Sequence, residues 1–110
     1  MKLDNIGITI ATRELDLDGK EKVLIKIGMP QEFPGGGGFF CPYRILGMGR
    51  GKVRYAGGVD PVQALELALK CIATDLYTSD EFKADRLRHL GMRNLGFPTA
   101  EAIRDLVPDD

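Results

Sequence analysis

Arg54-Tyr55-Ala56-Gly57-Gly58-Val59-Asp60-Pro61-Val62-Gln63-Ala64-Leu65 reads as a strand that ends in glycines and runs directly into a long helix. Asp60 is a natural N-cap, Pro61 suits the first helical turn, and Gln63 stands at capping-box spacing. The junction divides the chain into a strand-rich first half and a helical second half. The predicted fold class is α+β, in two layers and one domain over residues 1–110.

Four strands are predicted before the junction, at about 5–14, 22–29, 39–46 and 52–59, forming an antiparallel meander in the order 1-2-3-4. In the first, Ile6, Ile8, Ile10 and Thr12 alternate with Gly7, Thr9, Ala11 and Arg13, the period of a half-buried strand. Asp18-Gly19 is a hairpin signal. Val23, Ile25 and Ile27 define the buried face of the second strand, with Lys26 opposite. Phe39, Cys41, Tyr43 and Ile45 share a face of the third, where Pro42 calls for an edge or a bulge. Val53, Tyr55 and Val59 mark the fourth.

Val62, Leu65, Leu69, Ile72 and Leu76 form an apolar stripe on a helix over 61–77. Ala64, Leu67, Ala68 and Cys71 widen it, so this helix needs cover on more than one side. Thr78-Ser79-Asp80-Glu81 opens a second helix over 79–90, and a short helix over 100–107 closes the chain. The predicted core comprises Ile8, Ile10, Val23, Ile25, Ile27, Tyr43, Ile45, Val53, Tyr55, Leu65, Leu69, Ile72 and Leu76.

Composition bounds the function. In 110 residues, 44% are hydrophobic, 28% are charged and the net charge is −1, so no global field draws the chain to nucleic acid or membrane. No segment approaches the ~20 apolar residues of a spanning helix. Cys41 and Cys71 are too far apart in sequence for a C-x-x-C pair and too few for zinc, and read as reduced, buried thiols in a cytoplasmic protein. Gly47-Met48-Gly49-Arg50-Gly51-Lys52 lacks the P-loop's first glycine and its Ser or Thr, and lies between two strands, so it reads as a turn. His89, the single histidine, sits at ion-pair spacing from Asp85 rather than beside a nucleophile. No cofactor or metal is called for, and the reading leans away from an enzyme.

Charge distribution is the strongest functional signal. Residues 33–59 hold no Asp or Glu but contain Arg44, Arg50, Lys52 and Arg54. Strand parity sends Arg13, Lys26, Arg44, Lys52 and Arg54 to the face away from the isoleucines. The final stretch carries Glu101, Asp105, Asp109 and Asp110 against Arg104. A basic sheet face suits an acidic protein partner or an anionic ligand. Nucleic acid is disfavoured, because Phe40 alone has the parity for stacking on that face.

Cys41-Pro42-Tyr43-Arg44-Ile45 and Gly58-Val59-Asp60-Pro61-Val62-Gln63-Ala64-Leu65 carry a resemblance. The chain is similar, from about Ile10 to Pro98, to a family of small, functionally uncharacterised bacterial domains. These have a C-P-aromatic-x-I strand and a G-[VI]-D-x-x-Q-A-L entry to a helix. The resemblance implies a bacterial source and supplies no catalytic residue. The preferred expectation is a non-enzymatic interaction protein, with toxin-neutralising immunity as one concrete version and a homodimer expected from the second apolar helix stripe. The alternative is a small-molecule or anion-binding domain, or an enzyme, using the Glu32–Gly38 loop as a lid over Arg44, Lys52 or Arg54.

Overall fold

The computed structural model describes all residues, 1–110. Six strands form one open antiparallel sheet: β1 (Thr9–Leu17), β2 (Glu21–Gly28), β3 (Gln31–Glu32), β4 (Phe39–Leu46), β5 (Arg54–Gly58) and β6 (Leu87–Arg88). Helix α1 (Pro61–Tyr77) lies across β4 and β5, followed by the single-turn α2 (Asp80–Lys83) and a 3₁₀ turn over Glu101–Leu106. The expected meander of four strands is present as β1, β2, β4 and β5. Two short strands enlarge it: β6 pairs with β1, and β3 pairs with β4.

Strand β3 continues the line of β2 beyond a bulge. Ile27 pairs with Tyr43 and Gln31 with Phe40, so four steps along one strand face three along the other. Pro42 lies opposite this interruption. A proline that cannot donate to a ladder is thereby accommodated in an internal strand.

A second bulge corrects the predicted core. The β1–β2 register slips between Thr9 and Ala11, beyond which Arg13 pairs with Ile25 and Leu15 with Val23. One extra residue reverses the faces of everything after it. Leu15 and Leu17 therefore share the face of Val23 and are buried, while Ile10, the residue left unpaired at the bulge, is 46% exposed and Ile8, before the strand begins, is 65% exposed. The strand runs through Leu17 before turning at Asp18-Gly19, both with positive φ, as a tight hairpin requires.

Helix α1 has the predicted boundaries. Asp60 accepts from the Gln63 backbone N–H at 2.8 Å, and the Gln63 side-chain oxygen accepts from the Val59 N–H at 2.7 Å. Its innermost line is Ala64, Ala68, Ile72, Ala73, Leu76 and Tyr77, whereas Val62 is exposed and Leu65 and Leu69 are half-buried. Small side chains let the helix sit very close to β5. A Cβ added to Gly58 would stand 2.5 Å from the Ala64 backbone nitrogen. The core-facing positions of β5 are consequently Arg54, Ala56 and Gly58, while Tyr55 turns to the opposite face and Val53 precedes the strand.

The helix predicted over 79–90 stops at Lys83. Ser79 caps it as expected, accepting from the Phe82 N–H at 3.1 Å. Asp85 then takes positive φ, and Leu87 joins the sheet beside Leu17. Leu90 and Gly91, both with positive φ, form a hairpin turn closed by reciprocal His89–Met92 bonds. Gly91, which directly follows the predicted helix, is a β-turn residue rather than a helix terminator; both uses demand the same left-handed backbone. Phe82, Leu87, Leu95 and Ile103 complete the core beside α1.

Candidate functional site

The segment from Arg50 to Arg54, which leaves the turn after β4 and enters β5, forms a ridge between two clefts. Arg50, Lys52 and Arg54 line both.

The first cleft, about 740 Å³, lies between this ridge and the α1–α2 junction. Its three cations face three acids: Asp75 near the end of α1, and Asp80 and Glu81 in α2. At its floor the Tyr43 hydroxyl donates to Asp75 Oδ2 at 2.7 Å, and Arg54 Nη1 donates to Asp75 Oδ1 at 2.9 Å. Burial, reinforced by that hydrogen bond to Asp75, pushes the Tyr43 phenol well above its ordinary range. It is a fixed donor rather than a base.

The second cleft, about 640 Å³, lies between the ridge and the N-terminal residues. Lys2, Arg44, Arg50, Lys52 and Arg54 line it against the single acid Asp4, with Tyr55 beside them. Lys26 stands directly across from Arg44 on the same sheet face. Like charges in that position repel. Neither has a carboxylate partner, nor do Arg50, Lys52 and Lys2, whereas seven other Lys and Arg residues are ion-paired. Arg44 is oriented by donating from Nε to the Gly51 carbonyl.

The candidate cations thus separate. Arg44, Lys52 and Arg54 meet at the second cleft, and Lys26 adjoins them. Arg54 nonetheless points to the helix side, paired with Asp75, contrary to the parity reading. Arg13 leaves the set. It shares the face of Leu15, donates to the Leu95 and Gly96 carbonyls at 3.1 and 2.9 Å, and lies over the Phe97 ring at 4.7 Å. Arg50, Lys2 and Tyr55 were missed. Arg50 counts in the acid-free basic run but precedes the predicted strand, so parity does not select it, and Tyr55 was assigned to the core because its true core-facing neighbours, Ala56 and Gly58, carry almost no apolar signal.

Phe33 and Tyr55 join Phe40 on the open face, with ring centroids 5.4 to 6.1 Å apart. Tyr55 packs edgewise on both phenylalanines, and with Phe40 buried and Phe33 half-buried it is the most exposed of the three. The Glu32–Gly38 loop lines neither cleft; Phe33 and Gly38 are tied by a 3.0 Å backbone bond at its ends.

The thiols and the histidine stand apart from a nucleophilic arrangement. Cys41 donates to the Gly28 carbonyl at 3.4 Å, and burial pushes its thiol up to about 11. Burial, then the nearby Asp75 charge, also raises Cys71. Both thiols remain protonated at neutral pH. Partial burial and the neighbouring Arg13 lower His89, which packs near Gly96. No group of three or more His, Cys, Asp or Glu is placed to hold a metal ion, and no helix is long and apolar enough to cross a membrane.

No curated protein and no solved structure matches the chain. A family match does cover residues 11–99, from β1 through the loop that receives Arg13, and by it the chain belongs to the family described as Domain of unknown function (DUF6968).

Proposed function

We propose that the chain is a non-enzymatic interaction domain whose cationic groove captures an acidic segment of a protein partner. The carrying observation is the groove's uncompensated charge: five cations line it against one carboxylate, and of the five only Arg54 is ion-paired, with Asp75. Lys26 and Arg44 remain directly opposed without an acid between them, a local cost that an incoming carboxylate would relieve. Arg44 and Tyr55 are residue types that serve as anchors in protein interfaces. Toxin neutralisation is one concrete form of such capture, and the free thiols suit a reducing, cytoplasmic setting.

Small-anion binding in the first cleft is less well supported, because Asp75, Asp80 and Glu81 offset its cations. The Glu32–Gly38 loop, the expected lid, also does not border it. The test is calorimetric titration of a hexaglutamate peptide into the wild type and the Arg44→Glu/Lys52→Glu variant. Both substituted side chains lack ion pairs and only the Arg44 bond to the Gly51 carbonyl is lost, so stability should fall by no more than about 1 kcal/mol. The wild type should bind, more weakly as salt rises, and the variant should lose about tenfold or more in affinity. Equal affinity in a folded variant would refute the reading.

A further inference from the structure

We infer that a second copy of this chain supplies the acidic segment, with residues 101–110 of one copy entering the cationic groove of another. This rests on the groove reading above and names its partner.

The chain carries two complementary regions that it does not bring together. Residues 101–110 contain Glu101, Asp105, Asp109 and Asp110 against Arg104 alone. The only ion pair among them is Glu101–Arg104, at 3.9 Å, and Asp105, Asp109 and Asp110 are exposed without a cation. Val107 is extended, so the 3₁₀ turn gives way to an open acidic stretch suited to a groove. The segment is also anchored. Ile103 is buried in the core, and Asn94 Nδ2 donates to the Pro108 carbonyl at 3.0 Å. Asn94 adjoins Leu95 and Gly96, whose carbonyls are held by Arg13 of β1. The acids therefore sit on the β1 side of the sheet, with β2 between β1 and the groove-bearing β4, and none of them lines the groove.

Groove and acidic segment are different surfaces, so the contact closes as a reciprocal two-fold pair or as a head-to-tail ring, or continues as an open chain. The attraction is chiefly between exposed charges and must fade as salt rises.

Sedimentation velocity at about 100 μM protein, where a contact with Kd near 10⁻⁴ M is substantially formed, tests this directly. Runs at about 0.01 M and about 1 M salt span Debye lengths of ~30 and ~3 Å. The wild type should oligomerise at low salt and become monomeric at high salt. Arg44→Glu/Lys52→Glu and Asp105→Lys/Asp109→Lys/Asp110→Lys should each be monomeric alone. Mixed, they should form a 1:1 pair, since one retains the acidic segment and the other the groove. A wild type that stays monomeric at low salt, an acidic-segment variant that still oligomerises, or a mixture that does not pair would each overturn the inference. Hexaglutamate binding by the acidic-segment variant separates the two readings. If it binds while the wild type stays monomeric, the groove stands and the second copy falls; if it does not bind, both fall.

Discussion

The two clefts share three cations yet differ in chemical character, because the opposite walls come from different parts of the chain. In the first, Asp75, Asp80 and Glu81 of α1 and α2 face Arg50, Lys52 and Arg54 and leave little net charge. In the second, Arg44 and Lys2 reinforce the same three cations, with Asp4 alone against them. One ridge therefore has a self-neutralised side and an unsatisfied side. A cation's position on a strand says little about its availability until the residues across the cleft are known. Arg54 illustrates this: it lines both clefts but is already held by Asp75. Arg44, tied only to a backbone carbonyl, keeps its charge uncompensated.

The most damaging way to break the comparison is to remove the packing that creates both clefts. Gly58→Val places a branched side chain against the first turn of α1, with the Ala64 backbone nitrogen 2.5 Å from the new Cβ. Overpacking of this kind should cost about 3 kcal/mol, read from urea unfolding. An unchanged midpoint would mean that the helix does not press on β5. Next in size is Asp75→Ala, which strands the Tyr43 hydroxyl and releases Arg54. It should destabilise by about 2 kcal/mol, with Asp75→Asn recovering much of the loss by retaining an acceptor for Tyr43. Equal losses in the two variants would remove the proposed hydrogen-bond role.

A sharper contrast comes from Asp80→Asn/Glu81→Gln, which strips the first cleft of two acids. Stability should fall by only about 0.5–1 kcal/mol through the first turn of α2. Pyrophosphate should leave the wild-type cleft unchanged but perturb the amides of Thr78 and Ser79 in this variant; no new binding would show that acids do not neutralise this side. The smallest effect lies outside both clefts. The Arg86 guanidinium donates to both Asp18 oxygens and holds the carboxyl below its ordinary value near 3.8. A lowered folded-state value means a contribution present above pH ~4 and lost as pH falls through the folded value. Asp18→Asn keeps a residue that tolerates the turn and should remove this part of the acid dependence. An identical acid unfolding profile would contradict the pairing.

Local chemistry made part of this architecture legible. Helix α1 matched its predicted limits because its cap is written in adjacent residues, and Asp18-Gly19 marked its turn for the same reason. The face of β1 was hidden, because the bulge at Ile10 is set by pairing with β2 and reverses Arg13, Leu15 and Leu17 together. The inward line of β5 was hidden for another reason. Close approach of α1 requires small residues at Ala56, Gly58, Ala64 and Ala68, which hydrophobic patterning undervalues. At the candidate site, the acid-free run carrying Arg44 and Lys52 was visible. The partnership of Arg54 with Asp75 was not, since it joins strand to helix across twenty-one residues.

The central claim is that only one side of the ridge is open to an acidic partner. Titration of hexaglutamate into isotopically labelled protein, followed by amide chemical shifts, tests it most directly. The account predicts perturbations at Lys2, Arg44, Lys52 and Tyr55, with Thr78, Ser79 and Glu81 left unmoved. Perturbations centred on Thr78, Ser79 and Glu81, or none anywhere, would contradict it.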